Sequence, residues 1–253
     1  MPSSLDQIVR LMWRAPDLDA GLNLLRDTAA AVGMDLPAVI DDVAGNTPSR
    51  DAEGRAINER LGWPAWMIKG WYGRAYTRQH PIYLRCRFET MPFAIVNAAM
   101  WGAPDTLTAA QQHMRRDMEA VGLYGSIVVP VHLSHSRVGA INWATTRPRD
   151  LNAILAEAGH LLFATAHGFM RLLQPASRPR IEAGDLSHLT DRQIDCLYWL
   201  AAGKTIAETA IILDISGHTV REHLRAVTAR LGASNTTHAV ALACQFGLLG
   251  PLR

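Results

Sequence analysis

The stretch LTDRQIDCLYWLAAGKTIAETAIILDISGHTVREHLRAVTARLGASNTTHAVALACQFGLL, residues 189–249, carries the capping residues and glycine stops of four short helices. Thr190 followed three residues later by Gln193 fits a capping box, in which each side chain bonds the backbone N–H of the other. Thr205 and Ser216 can cap the second and third helices. The predicted helices span residues 191–202, 206–213, 218–231 and 237–246. This pattern predicts a small all-α domain.

The second and third predicted helices are joined by the few residues LDIS, which is typical of a helix-turn-helix motif. The third helix has an apolar face of Val220, Leu224, Val227 and Leu231, and its opposite face is polar. A recognition helix needs this division, because one side is held by a core while the other enters the major groove. A generic helical bundle with solvated charges is the alternative interpretation. The residues predicted to contact double-stranded DNA are Lys204, Thr205, Ser216, His218, Thr219, Arg221, Glu222 and Arg225.

The same stretch resembles the helix-turn-helix domain of the LuxR superfamily over the whole C-terminal region. The resemblance is carried by LT (189–190), LAAGKT (200–205), IS (215–216), TV (219–220), RLG (230–232) and AVALA (239–243). One departure is Gln193, where the family usually has a glutamate that braces the domain. We therefore expect a softer hydrogen-bond network at this point without loss of the fold.

The resemblance also implies a homodimer. It makes the last helix a dimerisation face, for which we predict Val240, Ala243 and Phe246, with plain core packing as the alternative. A homodimer would bind a two-fold symmetric, palindromic site and double the number of phosphate contacts. RNA polymerase is a further candidate partner of such a regulator.

A change of composition separates this region from the rest of the chain. Residues 174–186, QPASRPRIEAGDL, contain two prolines and a glycine, which indicates a linker between domains 1–173 and 187–253. The N-terminal region contains a predicted hairpin of residues 126–133 and 137–146. Its other predicted elements are helices over 4–14, 19–32, 105–121 and 150–173 and strands over 36–43 and 92–98. The predicted fold class is α+β, with an antiparallel sheet packed by helices.

A tight group of aromatic residues marks the middle of the N-terminal region. Its members are Trp63, Trp66, Trp71, Tyr72, Tyr76 and Tyr83. Aromatic side chains with polar tips can line an apolar pocket and fix the polar end of a ligand. Ordinary core packing is the alternative interpretation. A phosphorylated receiver domain is excluded, because such a domain begins with a strand, whereas this chain begins with two predicted helices.

Residues 5–173 resemble the autoinducer-binding domain of the acyl-homoserine-lactone receptors of the LuxR family. The resemblance is carried by the order of elements, by the aromatic helix followed by His80-Pro81, and by Gly122-Leu123 leading into IVVPV. It implies an α/β/α sandwich with the ligand held between the sheet and the helices. The residues expected to contact the ligand are Trp63, Trp66, Trp71, Tyr76, His80, Ile95 and Ser126.

Four of these positions depart from the family pattern. His80 stands where the family has an aspartate that accepts the ligand's amide N–H. Ile95 lies near the place of a tryptophan, and Ser126 stands where a glycine is expected. A one-residue slip leaves Trp66 or Met67 in the place of the lactone-binding tryptophan, and we choose Trp66. Because neutral histidine accepts a single hydrogen bond, we expect His80 to suit a ligand with an acceptor or a negative charge, or no ligand.

Composition bounds the remaining classes of protein. Of the 253 residues, 49% are hydrophobic and 19% are charged, a composition that allows a buried core. The formal net charge of +2 does not by itself indicate a nucleic-acid-binding protein. Three scattered cysteines match no zinc pattern, and no signal peptide or membrane span is apparent, so we expect a cytoplasmic protein. No catalytic motif, metal site or cofactor is predicted.

The sequence therefore predicts a dimeric, DNA-binding transcriptional regulator of the quorum-sensing LuxR type. We expect it to respond to a small apolar signal, such as an acyl-homoserine lactone or an atypical ligand. The alternative is a ligand-independent, constitutive DNA-binding regulator whose N-terminal domain is a dimerisation scaffold.

Overall fold

The computed structural model describes residues 4–74, 76, 79–101, 106–134, 136–173 and 189–250. The chain forms two compact units, one N-terminal and one C-terminal. The predicted linker, residues 174–186, lies outside the described residues.

The N-terminal unit is built on a four-stranded antiparallel sheet with strand order β1-β4-β3-β2. Its strands are β1 (Leu36–Ile40), β2 (Phe93–Val96), β3 (Gly125–His132) and β4 (Val138–Thr145). The predicted hairpin is confirmed as β3–β4, in which Gly125 lies opposite Thr145. The strand predicted over 36–43 ends earlier, because Asp42 Oδ1 accepts from the N–H of Ala44 at 2.8 Å and turns the chain.

Eight α-helices are described in this unit, and each of those with ten or more residues begins at a capping side chain. They are α1 (Leu5–Arg14), α2 (Leu18–Ala31), α3 (Ile57–Arg60), α4 (Ala65–Gly73), α5 (Pro81–Cys86), α6 (Asn97–Met100), α7 (Ala109–Ala120) and α8 (Leu151–Met170). Thr108 and Gln111 form a capping box at the start of α7, so this helix begins later than predicted. Asp150 caps α8, and the predicted last residues, Arg171–Leu173, form a single 3-10 turn.

Alternation along the strands gives the sheet two apolar faces. In β4, Ile141 and Trp143 join the core formed with α1, α2 and α8, whereas Ala140 and Ala144 join the core formed with α4, α5 and α7. A strand that is covered on both sides must be apolar nearly throughout. The α/β/α sandwich is thereby confirmed.

The edge strand β1 is covered by side chains from the segment that follows it. The amide of Asn58 accepts from the N–H of Val39 at 2.8 Å and donates to its carbonyl at 2.9 Å. The indole of Trp63 donates to the carbonyl of Pro37 at 2.8 Å. These bonds pair backbone groups of β1 that would otherwise be open at the edge of the sheet, and they hold Trp63 against β1.

The C-terminal unit contains four helices in its described part, in agreement with the sequence. They are α9 (Asp191–Ala201), α10 (Ile206–Leu213), α11 (Gly217–Arg230) and α12 (Thr236–Gln245). Val220, Leu224, Val227 and Leu231 are buried in one core, as their spacing predicts. No helix in the described ranges of either unit has the length and apolar character needed to cross a bilayer.

Gly139 lets the hairpin approach its neighbours closely. A Cβ at this position would lie 1.9 Å from Met170 Cε and 2.9 Å from the carbonyl oxygen of Ile40. The backbone of β1 cannot yield as a flexible side chain can, so a methyl group here forces the two strands or α8 apart.

We predict that Gly139→Ala lowers the free energy of unfolding of the N-terminal unit by about 1–3 kcal/mol, the usual cost of overpacking. Urea denaturation followed by tryptophan fluorescence measures this change. Gly73→Ala is the matched control, since a Cβ there meets nothing within 4 Å, and it should be neutral or stabilise by up to about 1 kcal/mol. Equal stability of the two variants would contradict the proposed crowding.

Candidate functional site

A cavity of about 50 Å³ lies in the N-terminal unit between the sheet and helices α4, α5 and α7. Its walls are apolar and aromatic side chains with a few polar groups. The residues that line it are Ala38, Ile40, Asn58, Trp63, Met67, Ile68, Trp71, Tyr72, His80, Ile82, Tyr83, Met118, Leu123, Ser126, Asn142 and Ala144. Buried, mostly apolar space with a few convergent polar groups is typical of small-molecule sites.

Helix α4 decides which aromatic residues reach this cavity. Met67 and Trp71 are four residues apart, so they share the inward face. Trp66 lies about 100° further round the helix and is 52% exposed. Our choice of Trp66 as a cavity residue is therefore corrected, and Met67, the other candidate, takes that place.

The remaining predicted ligand residues divide into two groups. Trp63, Trp71, His80 and Ser126 line the cavity. Tyr76 is buried behind it, with its ring centroid 5.6 Å from that of Trp71, and Ile95 packs half-buried against the same core without lining the cavity.

The predicted ligand residues leave out four polar cavity residues, namely Asn58, Tyr72, Tyr83 and Asn142, although the two tyrosines belong to the aromatic group that the sequence indicates as a pocket wall. Asn142 gave a usable signal, because it is an amide in the otherwise apolar strand GAINWA. The others follow from tertiary packing. Asn58, for example, reaches the cavity because its amide is bound to β1.

His80 is the N-cap of α5 and is 1% exposed. Its Nδ1 accepts from the N–H of Ile82 at 3.3 Å, which assigns the proton of the neutral ring to Nε2. Nε2 lies 3.4 Å from the sulfur of Met118, a weak acceptor. Burial lowers the pKa of His80 to about 3, so the ring is neutral at physiological pH.

Three aromatic rings enclose this imidazole. The centroids of Trp71, Tyr83 and Trp101 lie 5.0, 5.2 and 5.7 Å from that of His80. This packing explains the burial that keeps the ring uncharged. The expectation that His80 suits a negatively charged ligand is therefore corrected, because the ring carries no charge. A ligand with an acceptor, or no ligand, stays a prediction, since the neutral ring keeps Nε2–H as a donor.

Three buried polar atoms of cavity-lining residues have no hydrogen-bond partner within the part of the chain that the structure describes. They are Trp71 Nε1, Tyr72 Oη and Asn142 Oδ1. Burial raises the pKa of Tyr72, so its hydroxyl keeps its proton and can donate. An unpaired buried polar group costs about 1–3 kcal/mol, which a ligand with matching groups would recover.

The helix-turn-helix of the C-terminal unit consists of α10 and α11. Asp214 ends α10 in the left-handed conformation, with φ of 53°, and Ser216 caps α11 by accepting from the N–H of Thr219 at 3.0 Å. The exposed face of α11 carries His218, Arg221, Glu222 and Arg225. Arg225 Nη1 lies 3.4 Å from Glu222 Oε1, and the arginine side chain is 80% exposed. The predicted polar face of α11 is therefore exposed, and its contact with DNA stays a prediction.

Lys204 and Thr205 lie at the start of α10. Lys204 is exposed. Both donors of Thr205, its N–H and its hydroxyl, are bonded at 2.8 Å to the carboxylate of Glu208. Thr205 is therefore a structural cap in this structure, and its contact with a phosphate stays a prediction.

Gln193 retains a bracing role in spite of its missing charge. It closes the capping box with Thr190, and its Oε1 also accepts from Arg230 Nη1 at 3.1 Å, which ties α9 to α11. A neutral acceptor makes a weaker bond to arginine than a carboxylate does. The hydrogen bonds of Gln193 are therefore formed, and that they are weaker than those of a glutamate stays a prediction.

The predicted dimerisation residues of α12 differ in exposure. Val240 and Phe246 are half-buried, whereas Ala243 is fully buried against the domain's own core. Ala243 cannot reach a second chain without unpacking that core. It is therefore removed from the predicted dimer face.

No group of three histidine, cysteine, aspartate or glutamate side chains in the described ranges is arranged to hold a metal ion. Several titratable groups in this part of the chain form surface ion pairs. An example is Asp35, whose pKa is lowered to about 2, against the cost of its own burial, by bonds from Arg147, Thr146 and Thr145.

Two family descriptions match this chain. Residues 187–243 match "Bacterial regulatory proteins, luxR family", and residues 18–172 match "Autoinducer binding domain". The second match alone covers more than half of the chain.

Relatives and solved structures agree with these matches. RpaR of Rhodopseudomonas palustris, an HTH-type quorum sensing-dependent transcriptional regulator, is 30% identical over 82% of this chain and 81% of its own. BjaR1 of Bradyrhizobium diazoefficiens, a transcriptional activator protein, is 29% identical over 75% of this chain and 74% of its own. The crystal structure of Escherichia coli SdiA, at 19% identity, has a TM-score of 0.56 over 98% of both chains and shows the same fold. SdiA in complex with octanoyl-rac-glycerol, at 18% identity, also gives 0.56, over 98% of this chain and 96% of that one.

These descriptions are those of transcriptional regulators and not of enzymes. The chain belongs to the LuxR family of quorum-sensing transcriptional regulators, with an autoinducer-binding domain followed by a helix-turn-helix domain.

Proposed function

We propose that this regulator binds a small, largely apolar signal in the cavity between the sheet and α4, and binds palindromic promoter DNA through α11 as a homodimer. The observation that carries the ligand part is the buried cavity with three unpaired polar atoms on its lining residues. RNA polymerase is proposed as a further partner, because relatives such as BjaR1 are described as activators.

Ligand binding and DNA binding are coupled, in this proposal, through the packing of the N-terminal unit. The cavity of about 50 Å³ is smaller than the roughly 300–1,000 Å³ of typical ligand pockets. A signal molecule therefore has to displace wall side chains such as Met67 and Trp71. Binding then favours one packing of the unit over others and shifts the population that is competent for DNA.

His80, in place of the family's aspartate, distinguishes this chain from the acyl-homoserine-lactone receptors that it resembles. Since its Nδ1 is bonded to the N–H of Ile82, position 80 offers a ligand no acceptor. The amide N–H of an acyl-homoserine lactone would need its acceptor elsewhere in the cavity, or the signal is a different molecule.

On the DNA side, the proposal relies on the exposed face of α11. Arg221 and Arg225 are exposed and one turn apart, so both can face the same groove. Each arginine can form two hydrogen bonds with a guanine edge. Val240 and Phe246 remain the proposed dimer contacts of α12.

A second candidate function is a ligand-independent regulator whose N-terminal unit serves as a dimerisation scaffold. The small cavity volume favours it, because a well-packed unit needs no ligand to be stable.

The two functions predict different responses to ligands. We expect at least one member of a panel of acyl-homoserine lactones and unrelated apolar molecules to raise the melting temperature of the full chain and to change its DNA affinity. A ligand at a hundred times its Kd stabilises the folded state by about 2.7 kcal/mol. If no compound shifts either quantity, the scaffold function is the correct one.

We predict that Arg221→Ala and Arg225→Ala each weaken binding to a duplex selected from a random library by about 1–3 kcal/mol and relax its specificity. Electrophoretic mobility shift or fluorescence anisotropy measures both effects. Arg192→Ala is the control, since it removes an exposed arginine from α9 of the same domain. Unchanged affinity in both α11 variants would rule out the recognition-helix assignment, and a selected sequence without two-fold symmetry would rule out the dimer.

The neutral state of His80 predicts a pH dependence of stability. Its pKa is about 3 in the folded chain and 6.5 ordinarily, so between these values the unfolded chain binds a proton that the folded chain excludes. The free energy of unfolding therefore falls as the pH decreases below about 6.5, by up to about 1.4 kcal/mol per pH unit.

The variant His80→Asn keeps an acceptor for the N–H of Ile82 but does not titrate. We expect its stability to fall less steeply than that of the wild type between about pH 6.5 and 4.5, a range above the titration of Asp35. Urea denaturation across this range measures the two slopes. Parallel profiles would show that His80 is not held neutral.

A further inference from the structure

A second hollow of the N-terminal unit, which we call the outer groove, lies beside α6 and α7 and has a volume of about 440 Å³. Its lining includes Asn97, Trp101, Arg115, Glu119, Leu123 and Tyr124. Leu123 is the one residue that lines both this groove and the cavity described above, so the two are separate sites. The volume of the outer groove is within the roughly 300–1,000 Å³ of typical ligand pockets, whereas that of the cavity is not.

The floor of the outer groove consists of the buried residues Asn97, Trp101 and Leu123. Trp101 Nε1 donates to Asn97 Oδ1 at 3.2 Å, and Asn97 Nδ2 donates to the carbonyl of Leu123 at 3.2 Å. These bonds hold the indole in place and pair the polar side-chain groups of the floor. A ligand therefore meets aromatic and alkyl surface there, with the half-buried ring of Tyr124 beside it.

The charged groups of the outer groove lie on α7. Arg115 and Glu119 are one turn apart, and Arg115 Nε donates to Glu119 Oε1 at 2.8 Å. The two side chains are 37% and 52% exposed, so this ion pair is weak and can be exchanged. Within the described residues Arg115 bonds through Nε alone, which leaves the N–H groups of both Nη atoms for a further acceptor.

An aromatic carboxylate matches both parts of the outer groove. A guanidinium group can bind a carboxylate through two parallel hydrogen bonds, which are stronger than bonds between neutral groups. A flat ring on the floor gains the edge and face contacts that aromatic pairs favour, with Trp101 and Tyr124 as its partners. A cationic ligand is a poorer match, because the carboxylate of Glu119 is already paired with Arg115.

We propose that the outer groove is a second binding site, for an aromatic carboxylate, in which Arg115 binds the carboxylate while Trp101 and Tyr124 contact the ring. The proposal goes beyond ligand sensing in the cavity and does not depend on it. The centroid of the Trp101 ring lies 5.7 Å from that of His80, which lines the cavity. An occupant of the outer groove would therefore touch a side chain that packs on the cavity wall.

Three probes with the same carbon skeleton test the two parts of the site. 2-Naphthoate carries the aromatic rings and the charge, 2-naphthamide carries the rings without the charge, and decahydro-2-naphthoate carries the charge without an aromatic face. Binding to the full chain is measured by calorimetry at neutral pH. We expect 2-naphthoate to bind about tenfold tighter than the amide and about threefold tighter than the saturated acid.

Substitutions on α7 assign the binding to Arg115. Arg115→Gln should weaken the binding of 2-naphthoate about tenfold and remove most of its preference over 2-naphthamide. Arg116→Gln is the matched control, because it removes the neighbouring exposed arginine, which does not line the outer groove. This control should leave all three affinities at their wild-type values. Neither arginine is part of a buried core, so both variants should keep the fold.

Glu119→Gln separates the proposed site from a generic apolar groove. The carboxylate of Glu119 occupies Arg115 and repels a second carboxylate, so its removal should tighten the binding of 2-naphthoate about threefold. A groove in which Arg115 has no role predicts no change. Unchanged or weaker binding in this variant would show that Arg115 is not the partner of the ligand's carboxylate.

Three further results would overturn the proposal. They are the absence of binding by 2-naphthoate, equal binding of 2-naphthoate and either of the other probes, and wild-type affinity for 2-naphthoate in the Arg115→Gln variant. Ligand sensing in the cavity would stand after any of these results, because neither Arg115 nor Trp101 lines the cavity.

Discussion

The burial of strand β4 on both faces is the constraint on which the N-terminal unit depends. Every residue from Gly139 to Thr145 is buried, and alternate side chains enter the two cores. Such a strand tolerates a polar side chain only at a cost of about 1–3 kcal/mol unless the group is paired. Asn142 is such a residue, because its Oδ1 is buried without a partner in the described part of the chain. The apolar packing of the rest of the sandwich offsets this cost.

The two nitrogens of His80 show how structure and recognition compete for one side chain. Nδ1 is committed to the N-terminus of α5, and Nε2 faces a thioether inside an aromatic cage. A carboxylate at this position could cap the helix with one oxygen and accept from a ligand with the other. An imidazole has one acceptor atom when neutral, so capping exhausts it. With histidine at this position, an acceptor for a ligand's N–H has to come from another residue that lines the cavity.

Sequence predicted those features that depend on local chemistry. The capping residues Thr190, Thr205 and Ser216 each bond within their own helix, so the helix-turn-helix could be placed from its spacing alone. The cavity lining was harder to predict, because a shift of one residue on α4 exchanges Trp66 for Met67.

Two residues with predicted functional roles also serve the fold. Thr205 gives both donors to Glu208, and Ala243 lies inside its own core. Neither contact is visible in the pattern of the sequence, since each depends on where a neighbouring side chain or helix lies. Residue type was informative at these positions, but the surroundings decide which partner the residue meets.

The exposed face of α11 and the cavity of the N-terminal unit differ in their contact with water, and this sets which interactions each can use. On α11, Arg225 and Glu222 are exposed, so their ion pair is weak and can be exchanged for phosphate or base contacts at little cost. The residues that line the cavity include no aspartate, glutamate, lysine or arginine, so the polar contacts that they can offer are neutral hydrogen bonds. With a formal net charge of only +2, the whole chain has little long-range attraction for DNA. Affinity must then come from short-range contacts at α11. A dimer of two chains would double the number of these contacts.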